Sequence, residues 1–116
     1  MEIVEIEIEK LVPDEANVRQ NVGDVKELAE SIATYGIKQP LTVRPRKDKF
    51  GVVIGRRRLS GAKVANLKTV PCIVDKTITD YQAVVLSTME NYQRGDLSYE
   101  ETAHAYELAK KYDSKV

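Results

Sequence analysis

Two apolar, strand-like segments at residues 41–46 and 50–54 are separated only by the polar residues 47–49. A connection this short joins antiparallel neighbours, because parallel neighbours need a crossover of a dozen or more residues. The pair is therefore predicted to form a β-hairpin, which argues against a wholly parallel sheet. With helical segments on both sides of it, the fold class is α+β, a small mixed or antiparallel sheet with flanking helices.

Outside the hairpin, Val and Ile alternate with Glu at residues 4–9, the period of a half-buried strand. A loop is expected at 13–21 and a buried strand at 71–75. Apolar residues recur at helical spacing in four segments, and capping-box pairs predict the starts of three of them. Gly36 is expected to end the first. The predicted helices cover residues 24–35, 57–66, 79–91 and 98–116.

Length and composition limit the class of protein. A chain of 116 residues is the size of one domain, and its 18 basic residues balance 18 acidic ones. No net field would hold such a molecule on nucleic acid or on an anionic membrane, so any polyanion site must be local. The lone cysteine, Cys72, is expected to be a buried core residue in a reducing compartment. A cytoplasmic protein without a leader or membrane span is predicted.

A glycine followed by three arginines, Gly55 to Arg58, lies between the second hairpin strand and a predicted helix. Glycine permits a tight turn, and the unpaired amides at a helix start bind phosphate. Arg57 and Arg58 would add charge-assisted hydrogen bonds, and Ser60 a hydroxyl group. The spacing is not that of the Gly-Lys-Ser/Thr phosphate loop. The alternative is a solvated cationic surface paired with glutamates.

Glu90 and Asn91 supply two hard oxygen ligands near a predicted helix end, and Arg94 follows in the next turn. Such a pair would bind Mg²⁺ only together with phosphate oxygens and water. An ordinary helix terminus is the alternative.

The loop between the first helix and the hairpin consists of Gly36, Ile37, Lys38, Gln39 and Pro40. Its glycine ends a helix and its proline enforces an extended approach to the next strand. A backbone held in this way would present carbonyl and amide groups to the edge of a base. The alternative is an ordinary loop that connects a helix to a strand.

These segments together resemble the N-terminal domain of the ParB family of chromosome and plasmid partition proteins. Residues 17–19, 28–32, 36–41, 55–58 and 90–97 match the family in order and spacing. The resemblance implies a ParB/sulfiredoxin-like fold, CTP and Mg²⁺ as cofactors, and nucleotide-dependent dimerisation around DNA. It implies further that the full-length protein is nucleoid-associated and has a ParA-type ATPase as partner. By analogy with the family, Gly55, Arg57 and Arg58 hold phosphates and Arg94 reaches the triphosphate. Glu90 and Asn91 hold the metal, and residues 36–40 border the base.

Two features depart from the family pattern. Arg56 stands where the family usually has an acid, which favours anion binding and disfavours hydrolysis, so a weak CTPase activity stays open and no catalytic residue is assigned. The chain also ends at residue 116, where the family continues into a DNA-reading domain. Residues 1–97 are therefore expected to form the nucleotide-binding domain, and 98–116 a helix that leads into a DNA-binding domain absent from this chain. The sequence is either a fragment of a longer protein or a stand-alone domain.

Three alternatives use the same residues differently. A DNA-binding module without nucleotide chemistry would use a cationic face that includes Arg44 and Arg46, with Arg19 as a further DNA contact. A ParB-like nuclease would need an acidic cluster for two metals, which the sequence does not supply. A sulfiredoxin would need a reactive cysteine just after the glycine turn, where Arg56 stands.

Overall fold

The computed structural model describes residues 2–16 and 23–93, the last three by their backbone only. The described part contains a 5-stranded sheet, a short 3-10 helix and three α-helices. In chain order they are β1 (Ile3–Glu7), the 3-10 helix (Ile8–Lys10), β2 (Leu11–Pro13), α1 (Lys26–Tyr35), β3 (Leu41–Arg46), β4 (Lys49–Ile54), α2 (Arg56–Val64), β5 (Thr69–Val74) and α3 (Asp80–Gln93).

The sheet is mixed, with the strand order β1-β5-β3-β4-β2. β3 and β4 form the predicted antiparallel hairpin, and β1 pairs antiparallel with β5. β2 runs parallel to β4, and β3 runs parallel to β5. The predicted α+β class with a small mixed sheet and flanking helices is therefore confirmed.

The two faces of the sheet are covered by different helices, as alternation along β4 shows. Val52 belongs to a core that includes Leu59 and Ala62 of α2, whereas the next residue, Val53, packs with Ala83 and Val84 of α3. Successive strand residues point to opposite faces, so the sheet lies between α2 and α3. α1 packs on α2, where a Cβ added to Gly61 would lie 2.9 Å from Ile32 Cδ1.

Element boundaries differ from the predictions at the sheet edges. The strand predicted over residues 4–9 ends at Glu7, and Ile8 begins the 3-10 helix. Val4, predicted to face the core, is 39% exposed because β1 is an edge strand. The three residues of β2 fall partly in the segment predicted as a loop. The predicted helix at 98–116 lies outside the described residues.

The predicted capping box forms at the start of α3, whereas the start of α1 has a different capping hydrogen bond. The Thr79 hydroxyl accepts from the Gln82 amide at 3.1 Å, and the Thr79 amide donates to Gln82 Oε1 at 3.0 Å, which is a reciprocal capping box. Asp24 instead accepts from the amide of Lys26 at 2.9 Å. Gly36, with φ 73°, ends α1 as predicted. None of the described helices has the length and apolar character needed to cross a bilayer.

A buried ion pair joins β3 to the segment after β2 and to the start of α3. Arg44 Nε and Nη2 donate to the two carboxylate oxygens of Asp14 at 2.7 and 2.9 Å. Nη1 donates to the carbonyl of Ile78 at 3.2 Å, and Nη2 lies 2.9 Å from Asp80 Oδ1. Arg44 and Asp14 are only 3% and 4% exposed. Gly51 leaves room for the pair, because a Cβ there would overlap the Asp14 carboxylate.

Candidate functional site

Gly55 forms the turn between β4 and α2 and belongs to the candidate site. Its φ of 107° lies in the left-handed region that disfavours other residues, and a Cβ here would lie 2.8 Å from Leu41 Cγ. α2 starts at Arg56 and its N-cap supplies no side-chain hydrogen bond. The Gly55 amide donates to Glu90 Oε1 at 3.2 Å. A carboxylate thus lies at the positive end of the α2 dipole.

Glu90 reaches this position because of its place on α3. Ala83, Ser87 and Glu90 recur at the spacing of one helix face, and Ala83 and Ser87 are fully buried against the sheet. The packing that covers Val53 therefore also directs Glu90 toward the end of β4, where Gly55 lies.

Arg58, in the first turn of α2, connects three segments. Its Nη1 donates to the carbonyls of Gln39 at 2.6 Å and Pro40 at 3.1 Å. Its Nη2 lies 3.5 Å from Glu90 Oε2, and the two side chains are only 15% and 16% exposed. The guanidinium thus joins the loop before β3, the start of α2 and the end of α3.

These groups line a cavity of about 510 Å³, a volume within the usual range of small-molecule sites. One side is polar, formed by Arg58 and Glu90 with the loop before β3. The other is apolar and is formed by β4, β5 and α3. The lining residues are Gln39, Pro40, Ile54, Arg58, Ile73, Leu86, Met89 and Glu90.

The structure brings together five of the residues predicted from sequence: Gln39, Pro40, Gly55, Arg58 and Glu90. Other predicted residues lie beside the cavity without lining it. Arg57 Nη2 donates to the Asp24 carbonyl at 2.7 Å, and the Lys38 ammonium lies 5.9 Å from the centre of the Tyr35 ring.

Further predicted residues have structural positions close to the site. Ile37 packs against the main core, and Gly36 ends α1. Arg56 and Ser60 are half-buried on α2. Arg19, Arg94 and the side chain of Asn91 lie outside the described residues.

Sequence reasoning missed the apolar wall, formed by Ile54, Ile73, Leu86 and Met89. Ile54 and Ile73 belong to strands predicted to be buried, and the sequence pattern assigns no role to Leu86 and Met89. Met89 carried a usable signal, since it directly precedes the candidate metal ligand and lies three residues after Leu86. Its side chain is 53% exposed, and it lines the cavity.

A divalent ion fits this donor set only with a polyphosphate. Among the described residues, no three His, Cys, Asp or Glu side chains are grouped to hold a metal. Glu90 places one carboxylate at the cavity, and carboxylate oxygen is a hard ligand suited to Mg²⁺. Mg²⁺ usually takes few protein ligands and completes its shell with phosphate oxygens and water.

The structure contradicts the prediction that Arg44 contacts DNA. Its guanidinium is buried and committed to Asp14, Asp80 and a backbone carbonyl, so it offers no surface to a phosphate. Arg46 is 37% exposed and pairs with Glu15 and Asp80. The alternating pattern of β3 did not reveal that α3 covers the second face of the sheet.

Cys72 is fully buried in the core of β5, as predicted. Burial, with a smaller contribution from the charge of Glu5, raises the pKa of its thiol to about 11. Because the thiolate is the reactive form, we expect native protein to react with an aromatic disulfide reagent at least about 100-fold more slowly than urea-unfolded protein at pH 8. Equal rates before and after unfolding would contradict this placement.

Comparison with known protein families identifies one that matches most of this chain. The family model described as ParB N-terminal domain matches residues 1–92. The chromosome-partitioning protein Spo0J of Thermus thermophilus is 39% identical over 107 residues, which cover 90% of this chain and 39% of that protein. The chain therefore spans about two fifths of the length of this curated relative.

Solved structures agree with the family match. A C-terminally truncated ParB from Caulobacter crescentus, complexed with CTP-gamma-S, superposes with a TM-score of 0.73 at 33% identity, covering 97% of this chain and 66% of that one. A C-terminally truncated ParB from Caulobacter crescentus complexed to the centromeric parS site gives a TM-score of 0.68 at 32% identity, covering 95% of this chain and 58% of that one. Sulfiredoxin from Arabidopsis thaliana gives 0.55 at 29%, covering 66% and 86%. The chain belongs to the ParB N-terminal domain family.

Proposed function

We propose that this chain is the nucleotide-binding switch domain of a ParB-like chromosome partition protein and that it binds CTP with Mg²⁺ in the cavity between α2, α3 and the 36–40 loop. The observation that carries this proposal is the convergence of the Gly55 amide and the Arg58 guanidinium on one anionic group at the start of α2. Backbone amides at a helix N-terminus together with an arginine form an anion-binding site. The Caulobacter neighbour complexed with CTP-gamma-S supports the choice of nucleotide.

Each part of a nucleotide then has a place in the proposal. Phosphate oxygens accept from the Gly55 amide and Arg58, with Arg56, Arg57 and Ser60 of α2 as further cationic or hydroxyl groups. Arg94 is proposed as a further cation for the triphosphate. Glu90 and Asn91 hold Mg²⁺, which would neutralise the charge of the triphosphate. The base lies along the apolar wall beside the backbone of Gln39 and Pro40.

Hydrolysis is proposed only as a weak secondary activity. Arg56 places a cation at the start of α2, where it strengthens anion binding but cannot activate water as a carboxylate base does. The main role of the nucleotide in this proposal is to bias the conformation of the domain.

The proposal extends to the whole protein. Nucleotide binding would gate self-association of two such domains around DNA. Residues 98–116 would lead into a DNA-binding domain, and a ParA-type ATPase would act on the full-length protein at the nucleoid. The Caulobacter neighbour complexed to parS supports DNA as the partner, and this chain covers 58% of that neighbour. A module that binds DNA through Arg44 and Arg46 alone receives less support, because both side chains are held in ion pairs.

Calorimetry with each of the four nucleoside triphosphates in excess Mg²⁺ tests the nucleotide site. We expect saturable binding of CTP with a dissociation constant of about 1 mM or tighter, since KM values of enzymes for their substrates are usually below about 1 mM. Binding of a different triphosphate would retain the site and reject CTP. The absence of heat with all four would reject the proposal.

A further inference from the structure

The Glu90 carboxylate occupies the position at which two anion-seeking groups of the protein meet. One of its oxygens accepts from the Gly55 amide at 3.2 Å, and the other lies 3.5 Å from Arg58 Nη2. The carboxylate therefore interacts with both the helix dipole of α2 and a guanidinium charge. A phosphate group drawn to this cavity would seek the same two partners.

We infer that Glu90 determines the form of the ligand: it acts as an internal counter-anion that excludes free triphosphates and admits only those carrying a divalent cation. This inference rests on the proposed function, since it concerns the same cavity. It assigns Glu90 an action in the absence of metal, in addition to the proposed role of metal ligand.

The physical reason is the sign of the charges that meet in the cavity. A metal-free triphosphate would bring several negative charges next to a carboxylate, and like charges at short range repel. The side chains of Arg58 and Glu90 are only 15% and 16% exposed, so solvent and salt screen this repulsion weakly. A divalent cation between carboxylate and phosphate replaces the repulsion with two attractions, and carboxylate oxygen is a preferred ligand of Mg²⁺.

The position of Glu90 is fixed well enough for such a function. The face of α3 that carries it also carries Ala83 and Ser87, both fully buried. The Gly55 turn is fixed by its left-handed φ of 107° and its close approach to Leu41. The end of α3 is therefore held beside the start of α2, and the carboxylate contacts both the Gly55 amide and the Arg58 guanidinium there.

The test compares Glu90→Gln with a matched control, Glu9→Gln, which changes the net charge equally. Glu9 lies beside Thr69, at the end of β5 opposite to Ile73, which lines the site. Inorganic tripolyphosphate in EDTA is the probe of metal-free binding, followed by calorimetry. We expect Glu90→Gln to bind it about tenfold tighter or more than wild type, and Glu9→Gln to stay within about twofold of wild type. The advantage that Mg²⁺ gives to CTP should shrink in Glu90→Gln only.

A second readout follows the Gly55 amide directly by proton–nitrogen NMR of the complete chain. In metal-free buffer its resonance should shift on tripolyphosphate addition in Glu90→Gln at concentrations that leave wild type unchanged. Glu90→Asp, whose carboxylate is one methylene shorter, should fall between the two. If Glu90→Gln fails to fold, the comparison of Glu90→Asp with wild type tests the inference.

The outcomes separate the inference from the proposed function. Unchanged or weaker tripolyphosphate binding in both Glu90 variants overturns the inference, and CTP–Mg²⁺ binding by wild type would leave the proposed function standing. If Glu90→Gln binds tripolyphosphate more tightly than wild type in EDTA but wild type does not bind CTP, the counter-anion role is supported and the proposed function is rejected. No binding of any probe by any variant overturns both.

Discussion

Replacing Arg44 with alanine is expected to lower the free energy of unfolding by about 3–5 kcal/mol, because it leaves a buried carboxylate without its partner. Arg44 contributes four of the polar contacts that join three segments: two to Asp14, one to the Ile78 carbonyl and one to Asp80. The measurement is urea denaturation followed by circular dichroism at pH 7. A large part of the total stability of a domain of this size would be lost.

Arg46→Ala is the matched control on the same strand. Arg46 also pairs with acidic residues, but it is 37% exposed and its partners Glu15 and Asp80 are 60% and 39% exposed. Exposed pairs contribute about 1 kcal/mol or less. Equal losses for the two variants would show that burial does not decide the contribution of Arg44.

The same ion pair predicts how acid affects stability. Burial alone would raise the pKa of Asp14, but hydrogen bonds from Arg44 and the Ala16 amide, with the charges of Arg44 and Arg46, lower it overall. A group with a depressed folded pKa stabilises the protein fully above its unfolded pKa, about 3.9, and the contribution is lost as the pH falls through the folded pKa. Wild type should therefore lose this contribution below about pH 4, and Arg44→Ala should show a weaker dependence there.

Arg58→Ala is expected to weaken CTP–Mg²⁺ binding by about 100-fold or more, since it removes a charged donor that faces the phosphates. From sequence alone, the fold would be expected to tolerate this change as the loss of a surface cation. The structure shows instead that Arg58 holds the carbonyls of Gln39 and Pro40. We therefore also expect the free energy of unfolding to fall by about 1.5–3 kcal/mol, the usual range for hydrogen bonds to a charged group.

Arg58→Lys separates charge from geometry. Lysine keeps the positive charge but lacks the planar fork that bonds two carbonyls and a carboxylate together. Calorimetry and thermal unfolding should give values between those of wild type and Arg58→Ala. Wild-type nucleotide affinity in Arg58→Ala would show that the phosphates lie elsewhere.

The sequence was most informative where the determining interactions are local. The β3–β4 hairpin followed from a three-residue polar connection, and Gly36 and the Thr79–Gln82 pair marked helix ends through their own backbone contacts. β2 was not predicted, because its three residues are stabilised by parallel pairing with residues 50–52, far along the chain. A strand this short carries too little periodicity to be recognised.

The site was predictable in part for a similar reason. Gly55 and Arg58 belong to one turn, and Glu90 was paired with them through its chemistry, although 35 positions separate it from Gly55. The apolar wall escaped prediction because Ile73 and Met89 reach the cavity from different elements. Arg44 was misjudged because nothing local shows that Asp14 and the start of α3 enclose its guanidinium.

The two ends of α3 are held in different ways, and this difference has a mechanical consequence. Asp80, at its start, is locked to a guanidinium inside the protein, whereas Glu90 is held by groups that a ligand would compete for. A ligand that displaced the Glu90 carboxylate would therefore loosen the last turn of α3, while the ion pair at Asp80 and the buried Ala83 hold its first turns on the sheet.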